Sequence, residues 1–239
     1  MSQSTASRQG AKRAHPDETT GSMTETSSQD AALWRTCYIT DRNALEPGQL
    51  LSKIDEAARA GVDLIQIREK DLETRPLLDL VQAALGGSAD TPTRIIVNDR
   101  LDVAMAAQAA GVHLGHASLP PHIVRRVGPP QFLVGVSCHS LNEALAAESA
   151  GADYILLGPI FETPSKRAYG PPLGLETLRE VAARLRVPSL ALGGITVERV
   201  LPCLEAGATG IAGITIFQNA SCLEERMSAL DACFAQRRS

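Results

Sequence analysis

After Trp34 the chain alternates short apolar runs with Ala- and Leu-rich stretches, and it does so eight times. Eight strands with helices between them in roughly 200 residues leave two architectures open, a closed (β/α)8 barrel or an open doubly wound sheet. The predicted strands are Thr36–Thr40, Leu64–Arg68, Arg94–Asn98, Gly111–Leu114, Leu133–Ser137, Tyr154–Leu157, Ser189–Leu192 and Gly210–Ile214. The predicted helices are Gln49–Ala60, Leu101–Ala110, Pro121–Val127, Gly174–Leu185, Val197–Ala206 and Ser221–Phe234. Ser140-Leu141-Asn142-Glu143 is a capping box that opens a further helix running to Ala150. Gly61 and Gly111 read as stops for the first two helices. No G-x-G-x-x-G follows an early strand, so nothing marks the dinucleotide site of an open sheet. Several strands finish on polar or small residues: Asn98-Asp99, Gly115, Ser137, Gly158 and Gly193-Gly194. A closed barrel gathers such ends at one rim, where its active site lies. The expected fold is therefore α/β, a (β/α)8 TIM barrel formed by residues 34–239.

A net charge of −4 argues against a general nucleic-acid binder, which would show a basic face. No run approaches the ~20 apolar residues of a membrane span. Five dispersed cysteines without C-x-x-C spacing favour free thiols in a reducing, cytoplasmic setting over disulfides or zinc. His113 and His116 are close together, but no third ligand completes a zinc set. Residues 1–33 are rich in Ser, Thr and Gln and lack the apolar core of a secretory signal. They are expected to form a disordered tail, since they can bury too little to offset the entropy of ordering. A homo-oligomer is compatible with the sequence, which does not fix the oligomeric state.

Gln66-Ile67-Arg68-Glu69-Lys70 is the segment most informative about function. It closes the second predicted strand. Side chains alternate along a strand, so Gln66, Arg68 and Lys70 share one face, opposite Ile65 and Ile67. Parallel strands are covered on both faces, and two cations on one inward face repel. An anionic ligand resolves both problems, and Arg with Lys suits phosphate oxygens. The alternative is a strand end whose charges reach water.

Other predicted rim segments carry related chemistry. Asp99 is either a magnesium ligand beside such a phosphate or an N-cap for the helix starting at Leu101. Thr163-Pro164-Ser165-Lys166 lies in a long loop, where two hydroxyls and a Lys suit a phosphate or diphosphate. Gly194, after the seventh strand, and Ile214-Thr215, after the eighth, fit a backbone phosphate cradle. Ser137-Cys138-His139-Ser140 ends the fifth strand. There His139 is either a general acid–base group or a structural hydrogen-bonding side chain.

Taken in order, Gln66–Lys70, Val97-Asn98-Asp99-Arg100, Gly111–Gly115, Gly135-Val136-Ser137, Gly158–Lys166, Gly193–Thr196 and Gly207–Thr215 resemble the thiamine phosphate synthase family. The resemblance spans nearly all of the chain after the tail and implies a (β/α)8 barrel. It implies a reaction in which a hydroxymethylpyrimidine diphosphate loses pyrophosphate and a thiazole phosphate nitrogen attacks the same methylene carbon. It implies that the pyrimidine diphosphate sits on Gln66, Arg68, Lys70, Asn98, Ser137 and Lys166. Within the same two segments Ile67, Glu69 and Pro164 count as contact positions. The thiazole phosphate would sit on Thr163, Ser165, Gly194, Ile214 and Thr215. Arg68, Lys70, Ser137 and Lys166 would carry catalysis, with one Mg²⁺ on Asp99.

The family typically shows Gly-Gln-x-Asp after the fourth strand, with the Asp as a second metal ligand. Here that segment reads Gly115-His116-Ala117-Ser118, so Ser118 stands where the carboxylate is expected. The related thiazole tautomerase branch looks similar at this position, and there the histidine matching His139 transfers the proton. Gln66, Arg68, Lys70 and Lys166 together favour the synthase, because a tautomerase expels no pyrophosphate. A non-catalytic phosphate-binding barrel is the third reading.

Overall fold

The computed structural model describes residues 34–163 and 171–237, together with residue 1. The tail predicted for residues 1–33 thus falls, except for its first residue, outside the described residues. Eight strands, β1 (Thr36–Ile39), β2 (Leu64–Ile67), β3 (Arg94–Asn98), β4 (Gly111–Leu114), β5 (Leu133–Cys138), β6 (Tyr154–Leu157), β7 (Ser189–Leu192) and β8 (Gly210–Gly213), close in sequence order into one barrel. Every neighbouring pair is parallel, including β1 with β8. The helices are α1 (Leu50–Arg59), α2 (Thr74–Gly87), α3 (Leu101–Ala106), α4 (Pro121–Val127), α5 (Leu141–Ser149), α6 (Gly174–Arg184), α7 (Val197–Glu205), α8 (Thr215–Gln218) and α9 (Leu223–Gln236).

Alternation along the strands divides the apolar residues into two sets. One set, including Ile65, Ile67, Val97, Val112, Val134 and Ile155, packs outward against the helices. The other, Cys37, Ile39, Leu64, Ile96, Leu133, Tyr154, Leu156, Leu190 and Ala212, fills the barrel. Each fully buried Leu or Ile contributes about 1.5–3 kcal/mol through removal from water. The filled interior means that the polar residues of the same inward set, Gln66, Asn98, His113 and Ser137, meet at the C-terminal mouth rather than in a channel.

Three helices depart from expectation, one of them α8, a short turn after β8 that was not predicted. The helix predicted over Leu101–Ala110 ends at Ala106, and the chain reverses at Gln108 with φ of 57°. Gly111 is therefore not a helix stop. It begins β4, where a side chain would collide with the Leu133 backbone. Helix α2 was not predicted, although Leu77, Val81 and Ala84 recur at helical spacing and are its buried residues. Pro76 and Gly86-Gly87 obscured it. Pro76 sits in the first turn, where the missing N–H costs nothing. The capping box forms differently from the usual reciprocal pair. Ser140 Oγ accepts from the Glu143 N–H at 3.2 Å, but the Glu143 carboxylate accepts from the His139 N–H at 2.8 Å.

Candidate active site

Strand β2 delivers the cationic part of the mouth. Gln66 is 1% exposed, and its Nε2 has no hydrogen-bond partner among the described residues. A buried donor left unpaired costs about 1–3 kcal/mol. Arg68 is half-buried and Lys70 exposed. The Arg68 N–H donates to Thr40 Oγ1 at 3.0 Å, which fixes the backbone there. Neither cationic side chain forms a hydrogen bond or ion pair among the described residues, and Lys70 lies close enough to Asp99 to favour its charged form. Ile67 and Glu69 turn elsewhere. Ile67 packs in the apolar layer beneath the helices. The Glu69 carboxylate accepts from Thr40 Oγ1 at 2.5 Å and from the Arg42 N–H at 3.1 Å. Burial raises the Glu69 pKa, and those bonds only partly oppose the rise.

Asp99 follows β3 with φ of 60°, a left-handed conformation uncommon outside glycine but tolerated by Asp. Its Oδ1 accepts from the Ser118 hydroxyl and, at 3.2 Å, from the Gly115 N–H. Its Oδ2 accepts from Asn98 Nδ2 at 2.8 Å. Partial burial raises the Asp99 pKa, but these donors and the nearby Lys70 outweigh it, and the net shift is downward. Asp99 is not an N-cap, since α3 has no side-chain cap. A single ionised carboxylate facing the mouth, flanked by a hydroxyl, has the hard oxygen chemistry that Mg²⁺ takes, usually through one or two carboxylates plus substrate phosphates. Among the described residues no group of three or more His, Cys, Asp or Glu could hold a metal.

Strands β4 and β5 supply His113 and Ser137. His113 Nε2 lies 2.8 Å from Ser137 Oγ. Burial pushes the His113 pKa down to about 3, with a smaller opposing effect from Asp99, so its ring is neutral. Sequence reasoning weighed His113 only as an incomplete zinc ligand. Its inward place on β4 was the signal that could have singled it out. His139 is exposed at the end of β5, with Nδ1 3.2 Å from Glu143 Oε2. Cys138 is buried, and burial pushes its thiol up to about 12, which makes it unreactive packing. Beside Ser137 opens a recess of about 300 Å³, lined by His116, Glu143 and the alanine face of α5.

The opposite side of the mouth is built from the loops after β6, β7 and β8. Gly194 has φ of 64°, and a Cβ there would lie 2.7 Å from the Glu162 carbonyl oxygen and 2.9 Å from Phe161 Cβ. Only glycine lets the two loops approach this closely. Arg199 holds the same junction. Its Nη1 donates to the Gly194 carbonyl at 2.6 Å, and its guanidinium covers the Phe161 ring at 4.6 Å. Ile214 is half-buried, and Thr215 begins α8 rather than extending a strand. Thr163 is half-buried at the edge of this region. Pro164, Ser165 and Lys166 lie outside the described residues.

A barrel with unpaired cations and an orphaned amide at one strand end has the form of an anion site, and comparison with known proteins is specific. Residues 36–217 match the family model described as thiamine monophosphate synthase. The chain belongs to that family. It is 42% identical over 172 residues to the thiamine-phosphate synthase of Roseiflexus sp. (strain RS-1), covering 72% of this chain and 73% of that protein. It is 47% identical over 154 residues to the thiamine-phosphate synthase of Methanoculleus marisnigri, covering 64% and 73%. Among solved structures, the thiamine phosphate pyrophosphorylase from Pyrococcus furiosus superposes with a TM-score of 0.77 at 30% identity, covering 87% of this chain and 99% of that one. A 3-hexulose-6-phosphate synthase shares the fold at 16% identity and a TM-score of 0.63. The expected fold and the expected thiamine monophosphate synthase family are both borne out, and the chain is an enzyme of this kind.

Proposed function

We infer that the enzyme joins a hydroxymethylpyrimidine diphosphate to a thiazole phosphate, forming thiamine phosphate and releasing pyrophosphate. The C–O bond to the diphosphate breaks, and the thiazole nitrogen forms the new C–N bond to the same methylene carbon. The observation that carries this reading is the end of β2, where Gln66 Nε2, Arg68 and Lys70 offer donors that nothing else among the described residues takes. Donors already in place stabilise charge as it develops on a leaving group, at no cost of reorganisation. Arg68 and Lys70 would take the diphosphate oxygens, joined by Lys166 from the loop after β6. The Ser137 hydroxyl would join them as a donor to a diphosphate oxygen, and Asn98 would position the pyrimidine side. The Gly194 loop and the turn at Ile214-Thr215, with Thr163 and Ser165, would seat the thiazole phosphate on backbone N–H groups. Asp99, assisted by Ser118, would hold Mg²⁺, which when bound neutralises charge on diphosphate oxygens.

The test is to mix both substrates with the purified protein and Mg²⁺. Pyrophosphate and thiamine phosphate should appear in equal amounts. Absence of pyrophosphate with any divalent metal overturns the reading. The exposed His139–Glu143 pair favours a second reading, isomerisation of a thiazole carboxylate phosphate without metal. That activity, lost in His139→Ala and present where pyrophosphate release is not, would replace the synthase.

A further inference from the structure

Tyr154 on β6, His113 on β4 and Ser137 on β5 form one file of polar side chains leading from the sealed barrel to the mouth. Tyr154 Oη lies 3.2 Å from His113 Nδ1, and His113 Nε2 lies 2.8 Å from Ser137 Oγ. Tyr154 is fully enclosed and His113 is 2% exposed, whereas Ser137 is half-buried at the rim. The register explains how side chains from β4 and β6 can touch. Gly135 of β5 pairs with His113 on one side and with Tyr154 on the other. A methyl at Gly135 would overlap the Tyr154 ring and lie 2.5 Å from His113 Nδ1. The missing side chain is the space in which the contact forms.

The file has a direction. A buried phenol must give its proton to an acceptor. For Tyr154 that acceptor, among the described residues, is His113 Nδ1. Burial also raises the Tyr154 pKa well above 10, so the phenol keeps its proton. Nδ1 is then a bare acceptor, and the single proton of the neutral imidazole sits on Nε2. Nε2–H donates to Ser137 Oγ. With that oxygen accepting from inside the barrel, the Ser137 hydrogen is left to point outward.

We propose that His113, locked by Tyr154 with its proton on Nε2, is a positioning residue that makes the Ser137 hydroxyl a fixed outward donor to an anionic oxygen of the substrate. The substrate's identity here rests on the proposed function; the tautomer does not. Without the lock, the imidazole can take its other tautomer. Ser137 would then donate inward to a bare Nε2 and offer the substrate no proton.

Two measurements test this. The first reads the tautomer directly, by long-range ¹H–¹⁵N correlation of histidine-labelled protein at neutral pH. His113 is identified by elimination, replacing His15, His116, His122 and His139 with Gln. The ring should show a protonated Nε2 and a bare Nδ1; a protonated Nδ1 overturns the proposal whether or not the protein turns over. The second is a double-mutant cycle on pyrophosphate release. Ser137→Ala should lower kcat about 100-fold, the scale of losing one placed donor. Tyr154→Phe should lower kcat at least tenfold with KM within threefold of the parent. Added to Ser137→Ala, it should cost nothing further, because both act through one hydroxyl. Additive losses would mean that Tyr154 serves only the fold and would contradict the proposal. Failure of the parent to release pyrophosphate would instead remove the proposed function and leave the tautomer test standing.

Discussion

The Ser118 hydroxyl donates to Asp99 Oδ1, tying the carboxylate after β3 to the loop after β4. Ser118 thus occupies the side of Asp99 where the sequence resemblance implies a second carboxylate. Ser118→Asp should therefore set two like charges side by side, a repulsion that a divalent cation relieves. The Tm of the variant should fall in a chelator and recover in millimolar Mg²⁺ by more than the parent's does. The Mg²⁺ concentration for half-maximal pyrophosphate release should drop about tenfold, equivalent to about 1.4 kcal/mol. An unchanged Mg²⁺ requirement with no Mg²⁺-dependent gain in Tm would argue against metal at Asp99.

Gln66 carries a stability cost consistent with function. Its Nε2 is buried and unpaired, so Gln66→Met, of similar volume, should raise stability by about 1 kcal/mol while lowering turnover at least tenfold. Urea unfolding and the pyrophosphate assay check the two halves separately. A destabilised variant would mean that Nε2 is satisfied in the folded protein.

Gly194→Ala should destabilise the protein by about 1–2 kcal/mol, because φ of 64° is unfavourable for alanine. The new methyl would also press on the Glu162 carbonyl and loosen the loop pair that Arg199 holds. KM for the thiazole phosphate should rise more than KM for the pyrimidine diphosphate. Equal effects on both substrates would remove Gly194 from the thiazole side.

His113 makes stability depend on pH. Its folded pKa is pushed down to about 3 by burial, whereas an unfolded histidine titrates near ~6.5. Between those values the unfolded chain binds a proton that the folded protein refuses. Stability is therefore full above about pH 6.5 and falls as pH falls through the window, by about 1 kcal/mol per unit. His113→Gln should lose that part of the slope between pH 6 and pH 5, measured by urea unfolding. Parallel profiles for parent and variant would show that the ring takes up a proton when folded.

Most of the barrel was legible in the sequence because its two periods were clean. Val97 and Val112 face out while Ile96 and His113 face in, and strand ends such as Asn98-Asp99 announced the rim. What escaped depended on neighbours distant in sequence. Gly111 read as a helix stop because its collision partner, the Leu133 backbone, lies on the next strand. Helix α2 was masked by Pro76, whose position in the first turn is harmless. Glu69 shares a short segment with Arg68 and Lys70, yet its carboxylate belongs to Thr40 and Arg42. The link between His113 and Tyr154 needs Gly135 between them, a relationship that strand register creates and local sequence does not.

That the open donors at the end of β2 hold a diphosphate is tested most directly by calorimetric titration of pyrophosphate into the protein in the presence of Mg²⁺. The parent should bind, and Arg68→Ala/Lys70→Ala, with a parental circular dichroism spectrum, should bind at least 100-fold more weakly. Equal affinity in the parent and the double variant would contradict it.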